Sequence, residues 1–291
     1  MKQTPDSPLG AFLRARRAQL TPRECGLPEA DTPRRVAGLR REEVARLAAI
    51  SVDYYTRLEQ GRVRASGPVL ATLVRALRLD DDQKTYLYEL AGRSGARPRR
   101  RRPAQQVRPA VRRLLDQLTG TPALVLGRRL DILAWNQAAV ALYTDFAAVP
   151  ADRRNYVYLL FTDPVVRELH LSWEHDARDA VAALRMAAAA EPDDPELTRL
   201  VGTLTIQDAD FRTWWAEHHV TGAGDGTKHY RHRLVGDLTL DCDTWTSPDG
   251  SGQRLMTLTA ETGTTSHDTL RILNSWTARR PGTPRTEDLT R

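Results

Sequence analysis

The sequence predicts two unlike domains: an all-α N-terminal domain of five helices, then an α+β domain with a five-stranded antiparallel sheet and helices. Three observations carry that expectation. Apolar residues recur at helical spacing through residues 1–92. After the glycine-rich stretch 222–226 the period changes to two, as in half-buried strands. The run RPRRRRP at 97–103 has no periodicity and separates the two parts.

Charge divides the chain in the same place. Residues 1–110 carry 23 Lys and Arg against 12 Asp and Glu, while residues 111–291 carry 20 against 25, within a net charge of +6. The first part suits a polyanion and the second does not. Among the 43 basic residues only Lys2, Lys84 and Lys228 are lysines, the mark of a GC-rich genome, but codon bias acts on both parts and leaves the asymmetry standing. With only Cys25 and Cys242, a disulfide framework is not expected. The start MKQTPDSPLG has no apolar signal-peptide core, and no apolar run nears the ~20 residues that span a bilayer. The expectation is a cytoplasmic protein with no membrane partner.

Each element of the first 92 residues has a local cause. Ser7 or Pro8 opens a helix with Leu9, Phe12, Leu13 and Leu20. Pro22, Gly26, Pro28 and Pro33 mark a loop. A second helix starts after Gly38 and carries Val44, Ala45, Leu47 and Ala48. A third, 52–60, ends at Gly61 as a C-cap glycine. Ser66 caps a fourth with Leu70, Leu73, Val74 and Leu77, and Asp80 begins a fifth with Tyr86, Leu87 and Leu90.

Residues 41–60, REEVARLAAISVDYYTRLEQ, are the decisive segment. Ala45 is small where two helices cross, Ile50 sits at the turn, and Tyr55 and Leu58 fall on the inner face of the second helix. Ser51, Val52, Asp53, Tyr54, Thr56 and Arg57 then point outward or toward a groove, with Arg62 and Arg64 following. Two helices joined by a short turn, the second presenting polar side chains at its start, match a helix-turn-helix. Thr56, Arg57 and Asp53 are placed to reach base edges, Asp53 as an acceptor for a cytosine amine or else as a charge on the helix dipole. Glu59 reads as structural, pairing with a nearby Arg.

The run GLRREEVARLAAISVDYYTRLEQGR resembles the xenobiotic-response-element class of helix-turn-helix regulators, whose fold is lambda-repressor-like. The resemblance implies that 52–60 is the recognition helix, that Arg41 contacts a phosphate, and that the partner is a double-stranded DNA operator. It departs at Ala49, where such turns usually hold Gly and where a left-handed residue costs energy.

Residues 93–106 read as an extended connector able to meet phosphates at low salt. Beyond it, 107–118 reads as a helix, 123–126 and 130–135 as strands around Gly127-Arg128-Arg129, and 136–146, 155–161, 172–190, 196–204 and 209–220 as helical stretches. Strands are expected at 230–234, 237–245 and 254–260, with turns at Val235-Gly236 and Pro248-Asp249-Gly250. Leu238, Leu240 and Cys242 share one face of the middle strand, with Thr239, Asp241 and Asp243 on the other. A helix at 267–278 closes a domain expected to span 107–280, with a flexible tail at 281–291. Five strands with helices on one face make a PAS-like layout.

The runs LVLGRRLDILAWN, RNYVYLLFTDP, DARDAVAALR, PDDPELTRLVGTL and FRTWWAEHHV resemble the MmyB-like ligand-binding domain. That resemblance implies a PAS-like fold with an apolar cavity and a fatty-acid-like ligand. It departs at Arg233-Leu234, where relatives carry a His-Pro pair. The aromatic and polar residues of the matching motifs are the ligand-binding candidates: Trp135, Asn136, Tyr143, Arg154, Asn155, Phe161, Trp173, Arg178, Trp214 and His218. An Arg among them would suit a carboxylate head through paired hydrogen bonds. For each one the competing reading is ordinary core packing or helix capping.

Other chemistry finds little support. His218, His219, His229, His232 and Cys242 lack metal-ligand spacing, because adjacent helical residues diverge by ~100° and strand residues three apart face opposite sides. Phosphate-loop and nucleophile-elbow motifs are absent. The expectation is therefore a non-enzymatic regulator without cofactor or metal, acting as a homodimer on its operator and tuned by a small apolar ligand. The alternative is a ligand-independent repressor whose second domain serves dimerisation or protein docking.

Overall fold

The computed structural model describes residues 7–27, 38–92, 105–191, 193–220 and 225–278. The arginine run of the expected connector and the tail lie outside these residues. The chain divides into two compact units, one of residues 1–102 with 181–222 and the other of 103–180 with 223–291.

The first unit holds the five expected helices: α1 (Pro8–Gln19), α2 (Arg41–Leu47), α3 (Val52–Glu59), α4 (Gly67–Ala76) and α5 (Asp81–Gly92). Ser7 caps α1 and Ser51 caps α3, each hydroxyl accepting a backbone N–H, so both starts are fixed by short polar side chains. Phe12, Leu13, Leu39, Val44, Tyr55, Leu58, Leu73, Leu77 and Leu87 form the core. Gly10 lets α1 lie against the end of α3, where any Cβ would collide with the Glu59 carbonyl. The same unit includes the second part of α10 (Trp173–Ala190), α11 (Pro195–Gln207) and α12 (Ala209–Ala216). Met186, Ala189 and Val220 pack into its core.

The turn between α2 and α3 keeps its shape without glycine. Ala49 adopts φ 54°, and the Ile50 N–H closes back on the Ala45 carbonyl at 3.0 Å. This is a Schellman-type ending with an alanine in the left-handed position.

The second unit is built on a sheet with strand order β2-β1-β5-β4-β3, all neighbours antiparallel. Its strands are β1 (Ala123–Leu126), β2 (Ile132–Trp135), β3 (Gly226–His232), β4 (Gly236–Thr246) and β5 (Arg254–Thr259). Leu238, Leu240 and Cys242 of β4 are buried, while Thr239, Asp241 and Asp243 are exposed, as the alternation predicts. Helix α6 (Pro109–Gln117) covers the face of β1, β2 and β5 that carries Ala123, Val125, Ala134 and Leu255. By strand parity the inward Leu124 and Met256 belong to the opposite face, so helices lie on both faces of this sheet rather than one. The remaining helices are α7 (Gln137–Leu142), α8 (Tyr156–Thr162), α9 (Pro164–Leu169), the first part of α10 and α13 (Thr265–Ala278).

Several boundaries differ from the sequence expectation. The helix expected at 136–146 stops at Leu142, where Tyr143 leaves helical conformation at ψ −80°. Strand β3 begins at Gly226, because that glycine at φ 125° pairs with Cys242 instead of ending a turn. Gln105 and Gln106, assigned to the connector, are hydrogen-bonded to the 251–253 loop, with Gln105 donating to the Ser251 carbonyl and the Gln106 carbonyl accepting from Gln253.

Ala49→Gly should raise unfolding free energy by ~0.5–1 kcal/mol, because glycine occupies the left-handed region without penalty. Urea denaturation of the full chain measures this. An unchanged or lowered midpoint would show that the alanine is not strained.

Candidate functional site

The face of α3 is displayed by the packing beneath it. Tyr55, Leu58 and Glu59 are buried, while Ser51, Val52, Asp53 and Arg57 are exposed and Tyr54 and Thr56 half-buried. Asp53 and Arg57 form a loose pair at 3.7 Å along the helix. At an exposed position such a pair contributes little and can open to meet a nucleic acid. The Tyr54 hydroxyl donates to the Arg64 carbonyl at 3.0 Å, which ties the segment bearing Arg62 and Arg64 to α3. Both arginines are exposed.

Glu59 organises this region from below. Its side chain is 0% exposed, and its two oxygens accept from Arg17 Nε at 2.8 Å and Arg41 Nε at 2.7 Å. The Arg17 Nη1 also donates to the Leu39 carbonyl, and Arg14 donates to the Glu59 carbonyl at 2.8 Å. One anion thus joins α1, α2 and α3. The Tyr55 hydroxyl beside it is pushed well up, by burial first and then by the Glu59 charge. Arg41 keeps 45% of its side chain in solvent while its Nε is held, an arrangement that aims an arginine without hiding it.

The ten ligand-binding candidates are not gathered into one chamber. Asn136 and Asn155 cap α7 and α8, and their amide nitrogens donate to the Leu118 and Thr121 carbonyls and to the Arg129 carbonyl respectively, so capping accounts for both. Arg154 lies over the Trp135 ring at 5.0 Å and donates to the Val149 carbonyl. Trp173 packs edge-on to Phe161 and donates to the Leu160 carbonyl at 2.9 Å. Arg178 pairs with Glu174 on the surface of α10. Trp173 and Arg178 line an open depression of about 430 Å³, and Asn136 borders another of about 230 Å³ with Leu115, Leu118 and Asn274. Tyr143 is interior, whereas Trp214 and His218 belong to the other unit.

Around Tyr143 the sheet unit holds a polar centre that motif reading missed. The Asp176 carboxylate takes Lys228 Nζ on one oxygen and His170 Nδ1 on the other, each at 2.7 Å, and all three side chains are buried. Burial opposes ionisation of Asp176, but the hydrogen bonds from His170 and Lys228 outweigh it and hold the carboxyl below its usual value. Burial likewise opposes the charge on Lys228, and Asp176 overcomes it, leaving that amine raised. The Tyr143 and Tyr230 hydroxyls share a hydrogen bond of 2.9 Å, and burial pushes both, with Tyr156, well above the usual phenol value. The signal in the sequence was register: Lys228, Tyr230 and His232 alternate along one strand, and two of them are buried.

In the helical unit, His218 sits at φ 54° and accepts from Arg185 Nη1 through Nδ1 at 3.1 Å. Its imidazole is held down to about 4, by burial first and then by the charges of Arg185 and Arg14.

Two family models match the chain. One described as a helix-turn-helix domain covers residues 8–87, and one described as an MmyB-like transcription regulator ligand binding domain covers 107–273. No curated protein matches. Among the described residues no helix is long and apolar enough to cross a membrane.

Glu59→Gln should cost about 3 kcal/mol of stability, because it leaves Arg17 and Arg41 without their buried anion. It should also weaken DNA binding by untethering Arg41. A variant as stable as the parent in urea would refute the brace. His218 titrates from 6.5 in the unfolded chain to about 4 in the folded one, so the unfolded chain binds protons more tightly and stability is lost as pH falls from 6.5 toward 4. His218→Gln should flatten that part of the pH dependence of the urea midpoint, and an unaltered slope would assign the loss to other groups.

Proposed function

We propose, on the premise that the chain belongs to the transcription regulators with an MmyB-like ligand-binding domain behind a helix-turn-helix domain, that it is a one-component regulator. It reads its operator with α3 and changes its affinity when a small apolar, fatty-acid-like ligand binds the C-terminal domain. Ser51, Val52, Asp53, Thr56 and Arg57 meet base edges, and Arg41, Arg62 and Arg64 meet phosphates. Tyr54 supports them through Arg64. The chain acts in the cytoplasm as a homodimer on two half-sites about 34 Å apart, one helical turn of DNA.

The observation that carries this reading is the frame beneath α3, a buried Glu59 carboxylate holding Arg41 at the edge of an exposed polar helix face. A ligand works in such a protein by binding two states unequally. The competing reading, a ligand-independent repressor with a docking module, draws support from the aromatic filling of the sheet unit by Tyr143, Phe146 and Tyr230.

Fluorescence anisotropy on the protein's own upstream DNA, at a fixed ~0.15 M salt because phosphate contacts make affinity salt-dependent, tests both. Arg57→Ala should weaken cognate binding by ~1–3 kcal/mol and relax discrimination among operator variants. Equal losses on every DNA sequence would reduce Arg57 to a phosphate contact. Indifference to every apolar ligand tried would favour the docking module.

A further inference from the structure

Arg185 has no counter-ion among the described residues. It lies on α10 within the helical unit and is 3% exposed. One face of its guanidinium covers the Trp215 ring at 4.2 Å. One nitrogen, Nη1, reaches His218. The other two, Nε and Nη2, are buried without a hydrogen bond of ordinary geometry among the described residues, and the Tyr86 hydroxyl is the neutral polar group that reaches toward the guanidinium. These two lie along one edge of the planar group, the edge that donates two parallel hydrogen bonds to a carboxylate.

The charge is as unmatched as the donors. Burial and the Tyr86 phenol are what act on Arg185, with no Asp or Glu among them. Its charged neighbourhood adds positive potential, since both Arg185 and Arg14 act on His218. Among the described residues the other buried charges are paired, Glu59 by two arginines and Asp176 by Lys228. An unpaired buried guanidinium costs far more than an unpaired amide, and a water molecule meets its donors without neutralising it. The apolar walls are aromatic: Trp215 stacks on Phe211 at 5.7 Å, and Tyr86 packs edge-on to Phe12.

We propose that Arg185, with Trp215, His218 and Tyr86 around it, is a binding site for the carboxylate of a small molecule with an apolar body. The site lies against α5, so a ligand there contacts the DNA-binding helices directly instead of acting from the interior of the sheet unit. This rests on the reading that the chain responds to a small ligand. It differs in placing the recognising cation at Arg185 and not at Arg178, which pairs with Glu174 on the surface, or at Arg154, which is only half-buried and donates to the Val149 carbonyl beside Trp135, although its Nε is likewise without a hydrogen bond among the described residues.

The test is calorimetric titration of the full chain with sodium decanoate, methyl decanoate, decanol and decyl phosphate, on the parent and on Arg185→Met, which keeps length and packing but has no charge. The expected result is binding of decanoate at least tenfold tighter than its ester or alcohol, lost in R185M, whose ligand-free form melts at or above the parent temperature. If R185M does not fold, Arg185→Lys retains the charge without the two-donor edge and should still lose tenfold. Decanoate binding unchanged in these variants overturns the site while leaving a ligand-responsive regulator intact. Preference for decyl phosphate overturns the carboxylate assignment. If none of the four binds, the Arg185 site is overturned, and the sensor reading is decided separately by the response of DNA binding to apolar ligands.

Discussion

A single buried carboxylate sets the geometry of the helical half. Glu59 stands at the end of α3 and draws in one arginine from α1 and one from α2, so that three helices meet at one negative charge. Taking that charge out of water is costly, and two charge-assisted hydrogen bonds with ideal lengths are what offset it. The arrangement also needs Gly10, because α1 must come close enough for Arg14 and Arg17 to reach the end of α3. With its inner face held this way, the outer face of α3 is presented by a rigid element, which is what positions a recognition surface to within fractions of an ångström.

The sheet half solves the same electrostatic problem with different residues. Asp176 is divided between His170 and Lys228, and the tyrosines beside them exchange hydrogen bonds with one another. In both places each buried charge has an opposite charge within hydrogen-bond reach. Against that background Arg185 is conspicuous for a physical reason and not for its residue type, since the protein elsewhere leaves no buried charge of this kind unanswered among its described residues.

Much of this was legible in the sequence where the determining forces are local. The five helices follow from apolar spacing and from Ser7 and Ser51 as caps, and the pairing of Glu59 with arginine was anticipated from its place on the inner face. Alternation along β4 was equally plain. Helix α9, PVVREL, was missed because six residues give no period to detect. The candidate ligand residues were chosen by type from separated motifs, and residue type cannot say which side chains the tertiary fold brings together. Asn136 and Asn155 therefore proved to be caps, while His170, Asp176 and Lys228 passed unnoticed. Arg185 was hidden by its alanine neighbours, because an arginine in such a helix reads as its solvated side.

The inward lysine of β3 has a consequence for how this protein avoids sticking to itself. Strand β3 is the outer edge of the sheet, where unpaired backbone groups invite another chain to add a strand. A slip of one residue in the pairing of β3 would turn Lys228 out of the interior and strip Asp176 of its cation. The ion pair thus locks the register of an edge strand whose outer side is only partly covered, by the Leu171 N–H on the His229 carbonyl, and a buried charge on such a strand makes fibre-like stacking of sheets unfavourable.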